Sequence, residues 1–132
     1  MTTPVYHRFA AAPTPVAPYS HAVVSDEWVF LTGQIPADPD DDSIAAADDI
    51  VAQTRRVMDN LVLVLNELQL GLEHVVQSRV YLTRFQDDYA EMNDTYASYF
   101  PAERLPARSC IGVTALARDV LVEIDMLARR PD

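Results

Sequence analysis

The chain has no lysine, one cysteine and three scattered glycines, and each shortage excludes something. With no lysine, no run of arginines and a formal net charge of −10, it offers no cationic surface to follow a phosphate backbone. Nucleic acid is therefore not expected as a partner. The single Cys110 forbids an internal disulfide and fits a reducing compartment. Three dispersed glycines leave no phosphate-cradling loop and no dinucleotide fingerprint. His7, His21 and His74 lack ligand spacing, so no metal site is expected. Long apolar runs are missing as well. The longest, residues 61–65, is far too short to cross a bilayer, and no basic segment leads into an apolar one at the N-terminus. These features read as a cytoplasmic protein with no membrane contact.

What is present fits one domain over residues 1–132. The chain is 49% hydrophobic and 23% charged, enough to build its own core. Residues 1–20 carry Pro4, Pro13, Pro15 and Pro18, so they form an extended arm, with a short edge strand over residues 6–9. Residues 21–25 and 28–32 are β-branched and aromatic around a polar Asp26-Glu27 turn, the pattern of a hairpin. Asp38-Pro39-Asp40-Asp41-Asp42 is a solvated acidic loop.

A helix is predicted over residues 48–70. Its apolar stripe is Ile50, Thr54, Val57, Leu61, Val64 and Leu68; Arg55, Arg56, Asn60 and Glu67 lie opposite, and Gly71 stops it. Residues 75–83 alternate as a strand. A second helix spans residues 89–100, with Asp88 as N-cap and Tyr89, Met92, Tyr96 and Tyr99 turned inward. Strands over residues 109–113 and 120–127 complete the order β-β-α-β-α-β-β.

Two helices can cover only one face of such a sheet, which makes the fold α+β. Alternation assigns Val76, Val80, Ile111, Val113, Val122 and Ile124 to the covered face. Arg108, Cys110, Glu123, Asp125, Gln77, Arg79 and Thr32 then share the other, beside Trp28, Phe30, Tyr81 and Leu127. A face so mixed suits association between subunits, with polar pockets between chains.

Arg108, in Pro106-Ala107-Arg108-Ser109-Cys110, is the leading candidate. Its planar guanidinium keeps its charge and can hold a carboxylate through two parallel bonds. Glu123, expected on the same face and on a neighbouring strand, would activate water. The competing account of the pair is an interfacial ion bridge. Cys110 has positive charge nearby but no activating histidine, so a small buried hydrophobe is its plainer role. Tyr19 is either a ring over a pocket or a turn aromatic. Asn93 is expected away from the centre of the helix stripe.

Taken in order, Pro18-Tyr19-Ser20, Leu31-Thr32-Gly33-Gln34-Ile35-Pro36, Gln53-Thr54-Arg55, Val80-Tyr81-Leu82-Thr83, Tyr96-Ala97-Ser98-Tyr99-Phe100, Pro106-Ala107-Arg108-Ser109 and Val122-Glu123-Ile124 resemble the RidA-type, YjgF-like family of imine/enamine deaminases. The resemblance covers residues 18–129. It implies a chorismate-mutase-like α+β fold, a mixed sheet with two helices on one face, and a homotrimer with clefts between subunits. It implies a cofactor-independent hydrolase that converts 2-imino acids, such as those formed from 2-aminoacrylate, to 2-keto acids and ammonia. By this resemblance Arg108 holds the substrate carboxylate and Glu123 positions the water, while Tyr19, Thr32, Asn93 and Cys110 line the cleft. Thr32 stands where serine is commoner, His21 replaces a usual glutamine, Arg118 a usual lysine and Asp125 a common glutamate. The rival class is a non-catalytic trimer of the same fold that binds a small carboxylate and regulates a partner. A nuclease or translation-related role is opposed by the charge of −10.

Overall fold

The computed structural model describes residues 3–132. A six-stranded sheet carries two helices on one face. Its strands are β1 (Val5–His7), β2 (Ala22–Ser25), β3 (Trp28–Gln34), β4 (Val75–Leu82), β5 (Ala107–Gly112) and β6 (Val122–Arg129). The helices are α1 (Ile50–Glu67), between β3 and β4, and α2 (Phe85–Ala97), between β4 and β5. Strand order is β1-β2-β3-β6-β4-β5, and only the β4–β5 pair is parallel. The expected α+β mixed sheet is therefore what the chain forms. No helix among the described residues is long and apolar enough to cross a membrane.

The topology follows from two crossovers. β3 and β4 are both antiparallel to β6, so they run the same way, and β3–α1–β4 and β4–α2–β5 repeat one β-α-β move. Crossovers of one hand and one direction put both helices on the same face. The last strand then enters between β3 and β4 rather than beside β5. The expectation that the strands bearing Arg108 and Glu123 pair directly is thus corrected: β4 lies between them.

α1 starts where Asp49 accepts a hydrogen bond from the Ala52 amide at 3.0 Å, and it buries Val57, Met58, Leu61 and Leu65 completely. It ends earlier than expected. Leu68 caps it and Gln69, at φ 62°, takes the left-handed position, while Gly71 opens the next turn. α2 starts earlier than expected, at Phe85. Asp88 lies within its first turn, buried and paired with Arg84, instead of capping it.

Of the three polar residues of α1 that are fully buried, Gln53, Thr54 and Asn60, the two amides act as clasps. Gln53 donates through Nε2 to the carbonyls of Ala46 and Ala47 and accepts the Leu121 amide at 2.8 Å. Asn60, expected on the solvated side, instead donates to the carbonyls of Ile35 and Ala37. Ile35, Ala37 and Val120 are buried in a small second cluster that Ile44 and Leu116 border, at the ends of β3 and β6. The acidic loop is thereby fixed on both sides.

Four face assignments change. A register shift after Val75 turns Val76 outward, where it is 43% exposed. Ile111 is also exposed, because β5 runs in register with β4 so that Arg108 aligns with Ser78 and Cys110 with Val80. Ser78 and Val80 are fully buried beneath the helices, so Arg108 and Cys110 belong to the helix side. Alternation alone could not set the phase of a six-residue edge strand with polar and apolar groups on both faces.

Replacing Gln53 with leucine leaves the Leu121 amide and the loop carbonyls without partners. Urea unfolding at fixed protein concentration is expected to show a loss of about 2–4 kcal/mol. A loss within experimental error would show that the clasp is dispensable.

Candidate active site

Arg108 sits at the corner between β5 and α2. Its guanidinium carbon lies 5.1 Å from the Tyr96 ring centre and 6.0 Å from that of Tyr89. Among the described residues it makes no ion pair. A half-buried cation steadied by aromatic faces, with its donors not committed to a protein carboxylate, is equipped to receive an anion. Tyr96 is itself anchored: its hydroxyl and the Ser78 hydroxyl are 2.6 Å apart in the core.

Asn93 lies four residues after Tyr89 and three before Tyr96, on the same side of α2. Its Oδ1 is buried and has no hydrogen-bond partner, which corrects the expectation that it turns away. Cys110, also on the helix side, is half-buried. Burial pushes its thiol pKa up, against the opposing pull of Arg108, so the reactive-thiolate option loses its basis.

Glu123 is on the other face. It aligns with Tyr81 of β4, three residues along the strand and one strand away from Arg108. The expectation that the two share a face is therefore overturned, and no ion bridge joins them. The phase of β5 is the cause. Glu123 makes no hydrogen bond or ion pair among the described residues. Its pKa is raised, first by burial and second by the nearby Asp125 carboxylate. Asp125 in turn holds Arg79 at 2.9 Å and accepts the Tyr81 hydroxyl at 3.1 Å.

The β3 bulge at Thr32 and Gly33 gives Glu123 its place. Register shifts between Leu31 and Gln34, and a Cβ built on Gly33 would lie within contact-breaking distance of the Glu123 carboxylate. The glycine is needed for this close approach, not for an unusual φ. Thr32 donates its hydroxyl to the Ser20 carbonyl, and the Tyr19 hydroxyl accepts the Val16 amide at 3.0 Å. Thr32 thus ties β3, beside the Gly33–Glu123 contact, to Ser20, the residue after Tyr19. Phe30, Thr32, Gln77, Arg79 and Leu127 line an open depression of about 440 Å³ on this face.

The predicted residues thus fall into two candidate half-sites: Arg108, Asn93 and Cys110 on the helix side, and Glu123 with Thr32 on the other face, while Tyr19 lies in the arm next to Ser20. Sequence reasoning missed Tyr89 and Tyr96 as the bed of Arg108, reading them as core. It also missed Gly33 as the seat of Glu123, although glycine after Thr32 signalled a close backbone approach. Among the described residues, no cluster of three His, Cys, Asp or Glu could hold a metal ion.

Residues 9–130 match the model of the family described as Endoribonuclease L-PSP. A RutC family protein of Synechocystis sp. is 41% identical over 122 residues, 92% of this chain and 93% of that protein. The 3-aminoacrylate deaminase RutC of Acinetobacter baylyi is 37% identical over 116 residues, 88% of this chain and 90% of that protein. The crystal structure of E. coli TdcF with bound serine has a TM-score of 0.87 to this fold at 30% identity, covering 96% of this chain and 99% of that one.

Asp125→Asn removes the second cause of the raised Glu123 pKa. The carboxyl carbon of Glu123, followed by NMR, is expected to titrate at lower pH in this variant than in the parent. An unchanged midpoint would assign the whole effect to burial.

Proposed function

The chain belongs to the endoribonuclease L-PSP family, which includes Rid and RutC proteins, and from that premise we propose that it hydrolyses reactive 2-imino acids to 2-keto acids and ammonia. The observation that carries this reading is the uncommitted guanidinium of Arg108, half-buried against aromatic rings, in a chain whose one unpaired half-buried carboxylate faces the opposite way. Each half-site lacks what the other has. A head-to-tail contact that sets the open sheet face of one copy against the β5–α2 edge of the next would bring them together, and a closed ring of three is the arrangement the family resemblance implies. The cleft would then lie between protomers. A deaminase among the relatives and bound serine in a similar structure support a small amino-acid-derived ligand. The charge of −10 opposes a ribonuclease role for this chain.

The chemistry asks little of the protein. A protonated 2-imino carbon is already electrophilic, so the site must hold the carboxylate, orient the carbon and deliver water. Arg108 takes the carboxylate through two charge-assisted bonds. Glu123 accepts a proton from water as the oxygen bonds to C2. The tetrahedral amino alcohol then loses its C–N bond: the nitrogen takes that proton and leaves as ammonia, and the hydroxyl proton passes to solvent as the C=O bond forms. One protonated imine and one water give one keto acid and one ammonium ion, the released ammonia taking up the proton given to solvent. The environment that raises the Glu123 pKa suits this exchange, since a carboxyl group nearer neutrality both takes and returns a proton readily.

Ammonia release from 2-aminoacrylate generated in situ tests the proposal. Arg108→Ala is expected to lower kcat/KM at least about a hundredfold, the loss of two charge-assisted bonds. Equal acceleration by parent and variant would remove Arg108 from the mechanism. Glu123→Gln is expected to bind a 2-keto acid normally and to lose turnover. Binding kept with turnover also kept would favour the non-catalytic regulatory trimer. Gly33→Ala displaces only the flexible end of Glu123 and meets no φ barrier, so turnover is expected to fall at least tenfold while the urea midpoint holds.

The acid limb of the rate profile is expected above the usual glutamate range, because the base works ionised and its pKa is raised. A limb at or below that range would exclude Glu123 as the base.

A further inference from the structure

The two rings beside Arg108 are not equivalent. Tyr96 is buried, its hydroxyl is bonded to Ser78, and it can only support the guanidinium from beneath. Tyr89 is 37% exposed. Its hydroxyl makes no hydrogen bond among the described residues, so no polar contact explains its position. Phe85 stacks on it with centres 4.7 Å apart and planes 22° from parallel, which fixes the ring. The guanidinium carbon stands 6.0 Å from the Tyr89 centre, the outer limit of a cation–π contact. Tyr89 is therefore a braced aromatic surface beside the anion anchor that the anchor does not use up.

The strand opposite keeps that surface clear. β5 turns Arg108, Cys110 and Gly112 toward α2, and beyond the arginine these side chains are small. At Gly112 an added Cβ would stand 3.2 Å from the Phe85 Cβ, so strand and helix are close there, and a larger residue would push on the aromatic pair. An acid bonded through both oxygens to Arg108 has its carboxyl carbon about 4 Å and its 2-substituent about 6 Å from the guanidinium carbon, the same range as the Tyr89 ring at 6.0 Å. A flat ring offset-stacked on Tyr89 would use both the anchor and the surface.

We propose that the preferred substrates are 2-imino acids with a planar aromatic side chain, held by carboxylate on Arg108 and by ring on Tyr89. This rests on the deaminase reading and narrows it to a substrate class. The reaction that supplies such a substrate must oxidise the Cα–N bond of an aromatic amino acid, or eliminate water from a β-hydroxy aromatic amino acid, leaving the C=N bond that water then cleaves.

The test generates 2-imino-3-phenylpropanoate and 2-iminopropanoate from phenylalanine and alanine with an amino-acid oxidase, and follows imine decay by semicarbazide trapping. The parent protein is expected to favour the phenyl imine in kcat/KM by about tenfold or more. Tyr89→Ala is expected to reduce that ratio at least fivefold, and Tyr89→Phe, which keeps the ring, to preserve it. Hydrolysis of the small imine with no preference for the phenyl one, or a ratio unchanged in Tyr89→Ala, overturns this inference and leaves the deaminase reading standing. Acceleration of neither imine overturns both.

Discussion

The parallel register of β5 on β4 is the constraint on which the rest depends. It aligns Arg108 with the buried Ser78 and so commits the guanidinium to the helix side, over Tyr96. β6, inserted on the far side of β4, commits Glu123 to the open face. A sheet is one residue thick, and no side-chain rotation carries either group around it. Under the proposed function the cleft is therefore a property of the assembly, and the fold of one chain makes two complementary edges of it.

Each edge is held by elements that spend stability on it. Glu123 is a half-buried carboxylate with no hydrogen-bond partner among the described residues, placed near a second carboxylate and against a glycine. Asn93 has a buried acceptor with nothing to accept. An unpaired buried polar group costs roughly 1–3 kcal/mol, and such costs gather where a ligand is expected to supply the missing partner. Away from these edges the Thr54 hydroxyl on α1 is also buried without a partner among the described residues, whereas His21 accepts the Phe9 amide and bonds the Pro13 carbonyl, and Gln53 and Asn60 satisfy loop backbone.

Much of the fold was legible because its cues were local. The stripe from Ile50 to Val64 gave α1, and the prolines gave the arm. The period-2 runs gave β2, β3, β4 and β6. Pairing was less legible. Nothing in the alternation of residues 107–112 says which neighbour they pair with, and the phase error moved Arg108 and Cys110 to the wrong face. Val76 failed for a related reason, since a bulge is a single extra residue with no composition of its own. Asn60 and Gln53 look like ordinary surface amides until the loops they hold are in place. For the candidate site, the residue types were readable, and their division between two faces was not.

Consider finally what the two amide clasps do to the segment between them. Asn60 fixes the chain at Ala37 and Gln53 fixes it at Ala46 and Ala47. The intervening residues touch the rest of the molecule through Ile44, which packs on the Ile35, Ala37 and Val120 cluster, and through Asp42, which meets Thr14 and Arg118. Changes of length or charge within that interval are absorbed between two pinned ends and need not reach β3 or β6. Descendants of this gene could lengthen, shorten or neutralise the stretch while inheriting the reactive corner intact.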